Sequence, residues 1–333
     1  MRSVSLDSWA DQPPSQGPPP VDVLPASTGG SGAPSPAIHV VELSKRYRRT
    51  AALRGLSMTV PRGEIFGFLG PNGAGKTTTV KLLLGLTKPT GGDALVLGAP
   101  VGDVETRRHV GYLPELFRFQ SWLTSSEVLH LHWRLLQLPT ARRDATVRDA
   151  LAEVGLADRR DDRVGSYSKG MQQRLGLAVA LLGEPQLVIL DEPTSALDPV
   201  GRHDVREIIR TMKSRGTTVF LNTHLLEEAQ HVCDRVTVMD KGRAVVTGPL
   251  PELLKGRASV RLRVEGLAGE WWRGLSSFGD WSVDGTWCRV DGAGEDSVPE
   301  LVASVVRLGG RIQAVVPETQ SLEERFLQVL GQS

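Results

Sequence analysis

Residues 65–77 read IFGFLGPNGAGKT. The apolar run Ile65–Leu69 ends in Gly70-Pro71-Asn72-Gly73-Ala74-Gly75-Lys76-Thr77, which satisfies G-x-x-x-x-G-K-[ST]. Val80, Leu83 and Leu84 follow at helical spacing. Strand, Gly-rich turn and helix is the context this motif needs. Glycines let backbone N–H groups converge on phosphate oxygens without an intervening Cβ, and the helix presents its positive end to the same anion. Gly70, Asn72, Gly73, Gly75, Lys76, Thr77 and Thr78 are therefore the expected phosphate cradle. Lys76 is expected to reach the β- and γ-phosphates, and Thr77 to give its hydroxyl to Mg²⁺. A plain strand-helix turn explains the glycines but not Lys76-Thr77.

Leu187-Val188-Ile189-Leu190 has the length and continuity of a parallel strand covered on both faces. It delivers Asp191 at its carboxyl end, where a carboxylate beside a phosphate loop holds Mg²⁺. Glu192 follows directly and is placed to polarise the water that attacks a γ-phosphate. Helical spacing over Asp198–Arg215 and a second apolar run, Thr217–Leu221, complete a strand-helix-strand unit of an α/β sheet. Short β-rich runs (Val40–Leu43, Leu53–Val60, Ala94–Leu97) surround the phosphate loop, and Ser125 to Leu156 reads as a helical insertion.

Three units divide the 333 residues. Residues 1–37 hold eight prolines, four glycines and seven serines without a periodic apolar face, so this tail is expected to be disordered. Residues 38–256 form the α/β unit. Residues 257–333 form a small α+β unit: Val260, Leu262 and Val264 alternate as a strand, Trp271–Leu275 suggests a short helix, and Asp284-Gly285 turns a hairpin between Trp281–Val283 and Thr286–Val290. A helix over Val298–Leu308 and a strand over Ile312–Val316 follow, giving the β-α-β-β-α-β order of a ferredoxin-like unit, and a last helix is expected over Leu322–Leu330.

Charge and composition exclude several classes. Lys+Arg number 39 against 38 Asp+Glu, which leaves no cationic surplus for a broad nucleic-acid face. The most apolar stretch, Leu175 to Gly183, is far short of the ~20 residues of a bilayer span. Cys233 and Cys288 build neither a disulfide framework nor a metal-ligand spacing.

Tyr167-Ser168-Lys169-Gly170-Met171-Gln172-Gln173-Arg174 precedes Leu187–Glu192, Ser195-Ala196-Leu197-Asp198 follows it, and His224 comes after the next strand. This ordered set resembles the ATP-binding cassette (ABC) ATPases, in particular the nucleotide-binding subunits of drug and polyketide exporters. The resemblance covers about residues 38–255, and Ser321–Leu327 resembles the end of that subgroup's accessory C-terminal domain. It implies an α/β P-loop NTPase cassette with a parallel-sheet core, an antiparallel β subdomain and a helical subdomain. It further implies ATP and Mg²⁺ as cofactors, a homodimer of ATPase subunits, and a separately encoded transmembrane permease that holds the subunit at the cytoplasmic face of the membrane. Residue by residue, Tyr47 stands where the family stacks an aromatic on adenine, the bland alternative being a core tyrosine at a strand end. Ser168 and Gly170 stand where the family meets ATP held by the other subunit. Asp198 stands in the loop that crosses the dimer interface, and His224 where the γ-phosphate is sensed.

Two positions depart from the family pattern. The lid glutamine is Glu115, which still offers oxygen to Mg²⁺ but adds negative charge and lacks the amide donor. The first signature glycine is Lys169, which excludes a backbone conformation open only to glycine. Both substitutions recur in the exporter-like subgroup. Leu116–Leu131, with Phe117, Phe119, Trp122 and Leu123, is either a permease-docking groove or core between subdomains. A soluble ABC ATPase acting on ribosomes or DNA is the main rival reading. Against it, the chain has one cassette and only a short helical stretch between phosphate loop and signature. A regulatory module that holds ATP without turnover is disfavoured by intact Lys76, Asp191, Glu192 and His224.

Overall fold

The computed structural model describes residues 35–195, 197–254 and 259–318. The Pro-rich tail up to residue 34 and the closing helix Leu322–Leu330 lie outside the described residues. The first unit begins with the hairpin β1 (Ile38–Tyr47) and β2 (Thr50–Val60), then β3 (Ile65–Leu69) and α1 (Lys76–Leu83). After β4 (Gly91–Val96), β5 (Ala99–Pro100) and α2 (Val104–Arg107) comes β6 (Val110–Leu113). The helical insertion supplies α3 (Ser125–Leu135), α4 (Arg143–Glu153) and α5 (Lys169–Leu181). The chain then runs through β7 (Leu187–Asp191), α6 (Pro199–Ser214), β8 (Thr218–Thr223), α7 (Leu226–Val232), β9 (Arg235–Asp240), β10 (Arg243–Pro249) and α8 (Leu250–Leu254).

Two sheets result. β2-β1-β4-β5 is antiparallel, and β10-β9-β3-β8-β7-β6 is parallel except for the edge strand β10. The period-2 geometry of a strand divides the side chains of the central sheet between two cores. Phe66, Phe68, Leu187, Ile189 and Phe220 join α1 and the antiparallel sheet in one core. Ile65, Leu69, Val188, Leu190, Val219 and Leu221 join the helical insertion, α6 and α7 in the other. Phe66 and Phe220 stack across the β3–β8 pair with centroids 5.9 Å apart.

Local chemistry sets the boundaries. Thr124 and Glu127 form a reciprocal capping box that starts α3. Asp198 accepts from the Gly201 N–H to start α6, with Pro199 in the first turn where its missing N–H costs nothing. Gly111 in β6 has no room for a Cβ, which would stand 1.9 Å from the Ala180 carbonyl oxygen, so α5 lies directly on that strand.

The second unit contains β11 (Ser259–Glu265), a 3₁₀ segment Trp271–Phe278, β12 (Asp280–Asp284), β13 (Trp287–Asp291), α9 (Val298–Arg307) and β14 (Arg311–Glu318). Its sheet order is β12-β13-β11-β14 with every neighbouring pair antiparallel. The short helix expected at Trp271–Leu275 is a 3₁₀ segment kinked at Leu275. The reason is local: the Leu275 carbonyl accepts from the Trp281 indole at 3.0 Å, and Trp271 packs edge-on against Trp281. Val260, Leu262, Cys288, Val290, Leu301 and Val305 form a core of its own. Cys233 and Cys288 are buried free thiols in different units.

Candidate nucleotide site

The carboxyl ends of β3, β8, β7 and β6 are consecutive in the central sheet, and each delivers part of the site. This is where ligands bind in an open α/β sheet. From β3 comes the phosphate loop, with Gly70, Gly73 and Gly75 at φ of 150°, 83° and 105°. A Cβ on Gly75 would meet the Ala52 carbonyl oxygen at 2.6 Å, and one on Gly70 the Met239 carbonyl oxygen at 2.4 Å. Gly75 is the N-cap of α1, so the first N–H groups of that helix border the loop. Lys76 is buried and its Nζ donates to the Gly70 carbonyl at 2.7 Å. Asn72, Gly73 and Thr77 are exposed and Thr78 is half-buried.

From β7 come Asp191 and Glu192, both buried. Asp191 Oδ1 accepts from Asn222 Nδ2 at 2.5 Å. Glu192 has φ of 52°, a left-handed conformation uncommon outside glycine, and its N–H donates to the Asn222 carbonyl at 2.8 Å. Three donors converge on its carboxylate: the His224 N–H at 3.0 Å and His224 Nδ1 at 2.8 Å on Oε1, and Thr223 Oγ1 at 3.3 Å on Oε2. An ionised carboxylate only accepts, so Nδ1 is the donor in this bond.

The charges feel one another. Burial pushes the Asp191 carboxyl above its ordinary range; the Asn222 bond opposes this, while Glu115 and Glu192 add to it. Burial lowers Lys76, against the pull of Glu192, Asp191 and Glu115. Glu115, exposed just beyond β6, is therefore electrostatically part of the site. Tyr112 is pushed up to about 12 by burial and by the carboxylates Asp191 and Glu115.

Other expected residues stand apart. Tyr47 ends β1 with 44% of its surface exposed and Lys45 Nζ 4.9 Å from its ring centroid, so it is not a core tyrosine. Ser168 caps α5 by accepting from the Met171 N–H at 3.2 Å, and is exposed. Lys169 is the first helical residue of α5 and not a left-handed position. Gly170 follows beside Leu197, and Asp198 is exposed and caps α6. No described hydrogen bond joins Ser168, Gly170 or Asp198 to the phosphate loop, Asp191 or Glu192. The aromatic segment after Glu115 divides: Phe117, Phe119 and Leu123 pack on the core, whereas Leu116 and Trp122 are 87% and 68% exposed.

Asn222 and Thr223 escape sequence reading. They end the β8 run and carry no motif of their own, yet they bond to Asp191 and Glu192. Their position directly before His224 is the signal that was available. The donor set suits Mg²⁺: hard carboxylate and hydroxyl oxygens from Asp191, Glu115 and Thr77. No group of three or more His, Cys, Asp or Glu among the described residues forms a cage.

Comparison with known proteins gives a consistent result. The ABC transporter family profile matches residues 53–195. An ABC transporter ATP-binding protein of Nostoc sp. is 41% identical over 300 residues, covering 86% of this chain and 87% of that protein. The Nod factor export ATP-binding protein I of Rhizobium meliloti is 42% identical over 217 residues, or 65% of each chain. Among solved structures, an ATP-binding subunit of an ABC transporter superposes with a TM-score of 0.59 at 33% identity, over 65% of this chain and 91% of that one. The cbiO1 protein of Clostridium perfringens, part of an ABC transporter complex, superposes with a TM-score of 0.60 at 29% identity, over 66% of this chain and 90% of that one.

Proposed function

Given that the chain belongs to the ABC transporter ATP-binding proteins, we propose that it works as one of two identical cassettes that hydrolyse ATP to drive a separate membrane permease, in the direction of export. Family membership already makes it an ATPase coupled to transport. Export is favoured by the likeness to Nod factor export proteins. Among the described residues no helix is long and apolar enough to cross a membrane, so the transport path is assigned to a partner chain. Peripheral attachment at the cytoplasmic face, through exposed Leu116 and Trp122, follows from that assignment.

The observation that carries the reading is Glu192, buried, oriented by three donors and close enough to Lys76 of the phosphate loop to act on its charge. In the proposed reaction the oxygen of a water attacks the γ-phosphorus, the bond to the β,γ-bridging oxygen breaks, and ADP and phosphate leave. Glu192 takes the water proton on its carboxylate. His224 Nδ1–H steadies that carboxylate, and Lys76 with the loop N–H groups binds the β- and γ-phosphates. Thr77 and Asp191, with Glu115, would hold Mg²⁺, which when bound supplies charge neutralisation of the triphosphate. Tyr47 would stack on adenine, and Ser168, Gly170 and Asp198 would complete the site of the opposite cassette. Glu192→Gln keeps the shape and removes the base, so steady-state hydrolysis should fall about 10²–10⁴-fold while ATP is still bound. Hydrolysis at the wild-type rate in that variant would sink the assignment.

A further inference from the structure

The loops holding His224 and Asp198 are continued by α7 and α6, which pack on one another, and one buried acid stands between these helices. Glu228, one turn beyond His224 on α7, has a side chain only 5% exposed. Its Oε1 lies 3.7 Å from Arg206 Nη1 and 4.0 Å from Arg202 Nη1, both on α6, and its Oε2 has no hydrogen-bond partner among the described residues. A buried carboxylate is costly unless cations stay close to it, so separating α7 from the two arginines is disfavoured. The arginines are not equivalent. Arg202 also donates from Nε to the Leu197 carbonyl at 3.1 Å, in the turn that leads to Asp198. Arg206 is the closer and better buried partner, 18% exposed against 33%, but its only described polar partner is Glu228.

We infer that Arg202 and Glu228 form a positioning link that carries movement of the His224 loop to the Leu197–Asp198 turn. The chain of contacts is continuous: Glu192 to His224, along the first turn of α7 to Glu228, across to Arg202, and through its Nε to Leu197. It connects the hydrolytic carboxylate of one cassette to the surface facing the other, and so makes the two ATP sites interdependent. The inference rests on the two-cassette ATPase proposed above.

The test is ATP hydrolysis by the full-length protein as a function of ATP concentration, with Tm measured alongside. Wild type is expected to give a Hill coefficient above one. Arg202→Ala and the isosteric Glu228→Gln should bring it to one, with kcat lowered on the order of tenfold. Arg206→Ala should keep the wild-type coefficient while losing more thermal stability, because it removes the closer and better buried partner. If the arginines merely neutralised Glu228, Arg206→Ala would have the larger effect on every readout. That result, an unchanged coefficient in Arg202→Ala, or a coefficient of one in an active wild type overturns the link and leaves the ATPase reading standing. A wild type that does not hydrolyse ATP overturns both.

Discussion

Asp191 shows how a single residue trades stability for function. Its folded value lies above the ordinary carboxylate range because it is buried and has Glu115 and Glu192 as neighbours. A group raised on folding contributes stability below its unfolded pKa and loses that contribution as pH rises through the folded value. Ionisation of Asp191 therefore opposes folding. Asp191→Asn is expected to raise Tm at pH 7, and to abolish Mg²⁺-dependent hydrolysis. The gain should shrink as pH is lowered and wild type takes up the proton too. Thermal melts at several pH values check both signs, and a variant less stable at pH 7 would refute the account. Residue type and spacing single out Lys76, Thr77, Asp191 and Glu192 in the sequence, and the family resemblance singles out His224, which the structure brings against Glu192. The role of Asn222 was not legible in this way, because an amide at a strand end acquires meaning only when the neighbouring strand brings a carboxylate to it.

At the scale of elements, glycine separates two kinds of requirement in the phosphate loop. Gly73 needs only its left-handed backbone, since an added Cβ meets nothing within 4 Å. Gly75 needs both backbone and space, with the Ala52 carbonyl 2.6 Å from the added atom. Gly73→Ala is expected to cost about 1–2 kcal/mol in chemical denaturation. Gly75→Ala should cost that plus about 1–3 kcal/mol of steric displacement and should weaken ATP binding more. Equal losses would contradict this ordering. Element type could be read where periodicity was strong: β3, β7 and α6 lie within a residue or two of the expected bounds. The segment Trp271–Phe278 was less legible because the indole of Trp281, brought near by the sheet, takes the carbonyl a regular helix would use. The aromatic segment after Glu115 was ambiguous for a related reason, since one stretch of sequence serves both core and surface.

For the whole molecule, the unit from Ser259 to Glu318 has its own core, distinct from the two cores of the cassette. Two calorimetric transitions are expected. Mg²⁺-ATP should raise only the one belonging to the cassette, because a ligand stabilises the unit that binds it. A single transition that moves with ATP would mean that the two units unfold as one. The order of the central sheet has a different consequence, for the chain during its synthesis. β3, which ends in the phosphate loop, lies between β8 and β9 in the sheet, and those strands begin at Thr218 and Arg235. The loop thus leaves the ribosome long before either strand that pairs with β3 exists. Such late, distant pairing is slow and exposes apolar strand edges while it waits. Any chain interrupted before Thr218 carries a complete phosphate-loop sequence with neither of the strands that flank β3 in the sheet.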